Sequence, residues 1–434
     1  MFPFEIEGRD VPDVAEKIFS HFDCKTLFKL RVVSKRWKVA IDDNLFGLEQ
    51  PAHHGNYAYW KAAQEGQLDI CKLYVDNLQE NKNPFSPEGW TPLHLAAKYG
   101  HLEVCNVIVE NIDIKNPADP DGGTPLHMAA KYGHLEVCRL IMEGLDNKNP
   151  DDSEKKTPLH LAAACGHLEV CRLIMESIDN KNPTGHYGLT PLHVAARHGH
   201  LEVCRLIMEK VDTKNPPAGP NPKQDLAGTT PLHMAACGGH VEVCRLIMDI
   251  LDNKNPEDQR GITPLHMAAG KGNGHLEVCK LIIESVDNKN PGSGNTPGSN
   301  NGNTPLHLAA SAGYFKICQL ILENVEDKNP ADSTGTTPLH EAARGGKESP
   351  GDERDPSAGT RHLDICKLLA ANTNNKRPLN VNRQAPCHIA DQFGNYEIRD
   401  FLDQFGPCPC HQCVNIAMLD NVTGAFFEMM LGKL

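Results

Sequence analysis

One tetrapeptide constrains this chain more than its composition does. Thr-Pro-Leu-His begins at Thr91, Thr124, Thr157, Thr190, Thr230, Thr263, Thr304 and Thr337. Successive copies start 33, 33, 33, 40, 33, 41 and 33 residues apart, so the longer gaps are the same unit plus inserts. Most copies continue into Ala-Ala and then Gly-His-Leu-Glu-Val-Cys. A chain that repeats itself at this period does not fold around one central core. It stacks copies of one small unit, each burying its neighbour's apolar face.

Within a unit the residues spell out two helices. The hydroxyl of Thr91 is placed to cap a helix. Pro92 takes the first helical position, where a missing N–H costs nothing. Ala96 and Ala97 are small enough to let neighbouring helices approach, and Gly100 stops the helix. A second helix is expected over residues 101–112. Its apolar stripe of Leu102, Val104, Cys105, Ile108 and Val109 is too wide for a lone surface helix. Asn116-Pro117 and Asp121-Gly122-Gly123 then read as a hairpin-like loop. The 33-residue period carrying Thr-Pro-Leu-His-x-Ala-Ala resembles the ankyrin repeat. That resemblance implies an all-α dominated fold, an ankyrin-repeat α-solenoid of helix-turn-helix units with hairpin-like loops.

The array is expected over residues 55–406 in about ten units. The first, near Tyr57, and the last, from Ala385, are degenerate. Inserts fall at 217–229, 292–303 and 347–361, and their composition is that of loops. One departure stands out at the end of the second helix. Where ankyrin repeats often have Gly, this chain has Ile112, Leu145 and Ile178. The following Asp-Asn-Lys-Asn-Pro is expected to supply a left-handed residue at Asn147.

Residues 1–48 lack the repeat. Pro12 starts a helix with Ile18, Phe19 and Phe22 on one side, Asp23 can cap a second and Ser34 a third. Three short helices cannot shelter this many large apolar groups alone. Val11-Pro12, Ile18-Phe19, Leu27, Leu30 and Val33-Ser34-Lys35-Arg36-Trp37 together resemble an F-box over residues 9–48, a small three-helix domain. The resemblance implies that Pro12, Ile18, Leu27, Leu30, Val33 and Trp37 contact a Skp-family adaptor, and through it a cullin scaffold. A helical cap for the repeat stack is the alternative reading.

Composition narrows the function. A net charge of −13 argues against nucleic acid as a partner, and no apolar stretch approaches membrane-spanning length. The N-terminus has Glu5 and Glu7 in place of a basic segment, so no signal peptide is expected. Nine of the 16 cysteines occupy one repeat site: Cys71, Cys105, Cys138, Cys171, Cys204, Cys244, Cys279, Cys318 and Cys366. Equivalent sites in stacked helices lie about 8–10 Å apart, beyond the roughly 7 Å that a disulfide spans. These are expected to be buried free thiols, which implies a reducing compartment, cytoplasmic or nuclear.

Candidate sites are few. The eight histidines His94, His127, His160, His193, His233, His266, His307 and His340 could suggest metal, but recurrence with the structural unit favours hydrogen bonds that tie neighbouring loops. Cys408, Cys410, His411 and Cys413 are ligand types zinc accepts; a reduced cysteine-rich tail or cap over 407–434 is the competing reading. Neither an acid–base constellation nor a phosphate loop stands out, so neither catalysis nor a cofactor is expected. Ankyrin proteins generally recognise partners through the exposed end of the first helix and the hairpin tips. Just after Ala-Ala this chain has Lys98-Tyr99, Lys131-Tyr132 and Arg197-His198, a basic and aromatic strip on an acidic protein. An acidic or phosphorylated segment of a target protein would suit it. The whole reads as a substrate receptor of a Skp–cullin–F-box ubiquitin ligase, with a scaffold that merely sequesters its partner as the rival.

Overall fold

The computed structural model describes residues 54–77, 82–219, 226–270, 274–293, 302–345 and 358–406. The F-box region and the 407–434 tail lie outside them. The chain divides into two compact units, Met1–His186 and Tyr187–Leu434. Among the described residues there are helices and turns but no strand.

Among its described residues the first unit holds four helix pairs: α1 (His54–Glu65) with α2 (Leu68–Asn77), α3 (Pro92–Tyr99) with α4 (Leu102–Val109), α5 (Pro125–Tyr132) with α6 (Leu135–Met142), and α7 (Pro158–Cys165) with α8 (Leu168–Glu176). First helices pack on first helices and second on second: α1, α3, α5 and α7 form one layer, and α2, α4, α6 and α8 another.

The second unit holds six pairs. They are α9 (Pro191–His198) and α10 (Leu201–Lys210), α11 (Pro231–Gly238) and α12 (Val241–Met248), α13 (Pro264–Gly270) and α14 (Leu276–Ser285), α15 (Pro305–Ser311) and α16 (Phe315–Asn324), α17 (Pro338–Arg344) and α18 (Ala358–Asn372), and α19 (Pro386–Gln392) and α20 (Tyr396–Asp403). The same two layers run through it.

The full repeats bury equivalent residues. In the α3–α4 pair, Leu93, Ala96, Ala97, Cys105 and Ile108 are inaccessible to solvent, and Val104 nearly so. The alanines keep the inner layer thin, and one Ile or Leu per helix fills the space between. Thr91 is extended (φ −98°, ψ 165°), and its Oγ1 accepts from the His94 N–H. Gly100 ends α3 in the left-handed conformation (φ 76°). It is required there twice over, because a Cβ would also stand 2.4 Å from Nδ1 of His134 in the next repeat.

The second helices differ from expectation. α4 stops at Val109, short of residue 112. Asn147 is not left-handed; among the described residues only Lys155, Tyr187 and Arg383 combine a side chain with positive φ. Its Oδ1 accepts instead from the Asn149 N–H at 3.1 Å, an Asx turn that uses the same residue differently. Lysine takes over the cap. Lys181 Nζ donates to the carbonyls of Met175 and Ile178, Lys214 Nζ to those of Met208 and Val211, and Lys328 Nζ to that of Leu322. An ammonium there meets the carbonyls that a helix leaves unpaired, at the negative end of its dipole.

The hairpin loops share one closure, Asp119 N–H to Gly123 O at 2.8 Å in the first unit and Asp258 N–H to Ile262 O at 2.8 Å in the second. Two inserts preserve it. Ala218 N–H donates to Thr229 O (2.7 Å) and Ser293 N–H to Asn303 O (3.0 Å), so the extra residues leave from the tip. The third insert is shorter than expected, because α18 starts at Ala358 and residues 358–361 are helical.

Candidate functional site

Three polar ladders hold the surfaces in place. In the first, the Thr91 N–H donates to His94 Nδ1 (3.1 Å), which leaves Nε2 protonated to donate to Gly123 O (3.1 Å). His127 reaches Lys156 O in the same way (3.0 Å). In the second unit His193, His233, His266, His307 and His340 reach Thr229, Ile262, Asn303, Thr336 and Gln384. Both ring nitrogens are thus engaged, and none of these rings belongs to a metal-ligating group among the described residues. Burial makes the charged ring unfavourable and pushes His233, His266 and His307 down to about 4. It lowers His94, His127 and His340 in the same sense.

The second ladder uses asparagine. Asn83, Asn116 and Asn149 Oδ1 accept from the N–H groups of Leu93, Leu126 and Leu159, satisfying donors in the first turn of each inner helix. The third was not anticipated from the sequence. A histidine directly after a helix-ending Gly donates from Nε2 to the repeat before it: His101 to Gln64 O, His134 to Lys98 O and His167 to Lys131 O. His240 and His275 do the same to Arg197 O and Cys237 O in the second unit. The signal was in the chain, since Gly-His recurs with the period, but each His is exposed enough to pass for a surface residue.

This third ladder pins the backbone at the positions that carry the basic strip. Lys98 and Tyr99 end α3, and Lys131 and Tyr132 end α5. Both tyrosines are 43% exposed. Lys98 Nζ lies 4.8 Å from the Trp90 ring centroid, 5.3 Å from Tyr99 and 5.8 Å from Tyr132, while Lys131 Nζ lies 5.7 Å from Tyr132. Each such contact stabilises by about 0.5–1 kcal/mol when exposed. Gln64 Nε2 donates to the Tyr99 hydroxyl (3.5 Å), and the Tyr99 ring stacks near His101 (6.4 Å). The structure therefore brings Lys98, Tyr99, Lys131 and Tyr132 together and adds Trp90, which the sequence reading passed over. Trp90 directly precedes Thr-Pro-Leu-His, where the next repeats have Gly123 and Lys156.

Arg197 and His198 end α9 in the other compact unit and form their own group. His198 stacks near His200 (6.2 Å). Burial first, then the neighbouring His200 and Arg197, hold its pKa below the usual histidine value.

The nine ladder cysteines are buried. Burial pushes Cys138, Cys204, Cys244, Cys279 and Cys318 up to about 12, so they stay protonated and unreactive. Cys165, at the end of α7, is exposed. The expected adaptor contacts Pro12, Ile18, Leu27, Leu30, Val33 and Trp37 lie outside the described residues, as do Cys408, Cys410, His411 and Cys413. Cys387, near that tail in sequence, is buried in α19.

Stacked helix pairs, cross-linked by polar ladders and carrying variable side chains at their exposed ends, define a repeat protein built to bind other proteins. The family model for ankyrin repeats, three copies long, matches residues 59–151, 141–216, 216–293 and 273–349, well over half of the chain. The chain belongs to the ankyrin-repeat family. Ahead of the array an F-box domain model matches residues 11–49. Both families are generally non-catalytic adaptor or binding domains, and no enzymatic domain is found beside them. No curated protein matches the chain.

Proposed function

We propose that this protein is the substrate-recognition subunit of a Skp–cullin–F-box ubiquitin ligase. Its F-box docks to a Skp-family adaptor, and its ankyrin surface holds the protein to be ubiquitinated. The observation that carries this reading is the pairing in one chain of an F-box match at residues 11–49 with a repeat array that has an exposed basic and aromatic strip. Catalysis then belongs to the recruited ubiquitin-conjugating enzyme, and the complex works in the cytoplasm or nucleus. Charge complementarity on an otherwise acidic protein assigns target binding to Lys98, Tyr99, Lys131 and Tyr132, with Arg197 and His198 as a second contact.

The test separates the two ends of the molecule. Changing Leu30 and Val33 to Asp places charges among the apolar groups assigned to the adaptor. Co-purification of adaptor and cullin should be abolished, and target capture should persist. The altered protein would hold its target without ubiquitinating it. Normal adaptor recruitment by that variant would overturn the assignment of the F-box to adaptor binding, and an unaltered chain that never co-purifies with adaptor and cullin leaves a sequestering scaffold as the function.

A further inference from the structure

The strip repeats along the first compact unit with the spacing of its helices, and that spacing selects a ligand backbone. α3 and α5 pack directly on one another, which sets their axes about 8–10 Å apart. Lys98 and Lys131 occupy equivalent positions, as do Tyr99 and Tyr132. A ligand meeting both repeats alike must present the same group about every 8–10 Å on one face.

Few backbones do so. A β-strand advances about 3.3 Å per residue and alternates faces, so the same face recurs after about 6.6 or 13 Å. An α-helix regains its face at the seventh residue, about 10.5 Å on, just past the span. The polyproline II helix has three residues per turn and rises about 3.1 Å per residue, so it regains its face after about 9.3 Å, within the span. The rings decide between the last two. Trp90, Tyr99 and Tyr132 crowd around one ammonium at 4.8–5.8 Å, and flat aromatic surfaces of this kind are what proline-rich segments dock against.

We propose that the strip recognises a target segment in the polyproline II conformation, with a carboxylate at every third residue and proline between. The proposal rests on the reading of the strip as the target surface. The carboxylates pair with Lys98 and Lys131 in turn, and the prolines lie against the aromatic rings. Lys98 is already gathered over three rings, so it loses less freedom on pairing than an extended lysine would.

Fluorescence anisotropy on the full chain tests it, using short labelled Glu/Pro peptides of one composition. Each carries two Glu residues, set three, two or seven positions apart (the every-third, every-second and every-seventh probes). The every-third probe should bind about tenfold tighter than its isomers at low salt. Lys98→Ala and Lys131→Ala should each weaken it, with circular dichroism unchanged. Equal affinities, a preference for the every-seventh probe, or no binding by any probe overturns the proposed segment. Replacing Lys98, Tyr99, Lys131 and Tyr132 by Ala separates the two ideas. Lost target capture alongside indifferent probes removes only the segment, whereas unchanged capture removes the strip itself.

Discussion

The two compact units are built from the same helix pair and put their variation in different places. The first carries no long insert, its three full repeats keep the 33-residue period, and it varies at the ends of the inner helices, where Lys98-Tyr99 and Lys131-Tyr132 stand. The six repeats of the second carry all three inserts, and at the same helix ends mix charged pairs such as Arg197-His198 with small ones such as Cys237-Gly238 and Ser311-Ala312. What does not vary is the interior: Thr, Leu, His, Ala, Cys and Ile recur in the same buried roles in both. Sameness marks the positions that hold repeats together, and difference marks the positions free to meet a partner.

Acid should break this equivalence most. His94, His127, His233, His266, His307 and His340 are neutral in the folded chain, because burial holds their pKa values below the ordinary 6.5. Their stabilisation is therefore complete above pH 6.5 and lost as the pH falls toward about 4 in the second unit. Burial pushes His233, His266 and His307 down to about 4, so hydrogen exchange mapped near neutrality and near about pH 5 should show the larger loss of protection around them. Uniform loss around His94, His127 and these three would refute the difference. Core truncation should treat the units alike. Ile141→Ala in the first and Ile207→Ala in the second, both inaccessible, should each cost about 2–5 kcal/mol in denaturant unfolding.

Smaller effects sit at the hairpins. The residue two before the capping position is left-handed, as at Gly122 and Gly228, and Lys155 and Arg383 hold that conformation with side chains (φ 57° each). Lys155→Gly in one unit and Arg383→Gly in the other should each raise stability by up to about 1 kcal/mol. A decrease in either would show that the side chain contributes more than the strain costs. The smallest change should follow deletion of residues 220–225. That loop is closed at its base by Ala218 and Thr229, and halving a loop is worth only about 0.6 kcal/mol. A large shift in melting temperature would mean the insert packs on its unit.

The interior of the array was legible because its chemistry is local and repeated. Thr91, Pro92 and Gly100 announce a capped helix, and the recurring Cys places a thiol in the core each time. What stayed hidden depends on the neighbouring repeat or on reach across a turn. His134 passes for a surface residue until the carbonyl of Lys98 is seen beside it. The cap from Lys181 escaped notice because a long flexible side chain advertises no partner. Trp90 was missed because it precedes the repeated phrase, and only folding carries it to Lys98. Of the site residues, the structure groups Lys98, Tyr99, Lys131 and Tyr132, and holds Arg197 and His198 in the other unit. Residue type and spacing suggested a strip; they could not show three rings gathered around one ammonium.

The histidine ladders also bear on how such a gene can change. In a repeat such as that of His94 or His134 the ring is bonded to a carbonyl in the adjacent copy, so such a repeat supplies a partner in one direction and needs one in the other. Unequal recombination between two copies removes or adds a whole period and leaves every remaining ring facing a carbonyl. A slip of one codon inside a helix would leave both ladders out of step. Length is therefore inherited in steps of one repeat, except at hairpin tips and in the connection between α17 and α18, where extra codons can accumulate. The starts at Thr190 and Thr230, 40 residues apart beside neighbours at 33, record such an accumulation.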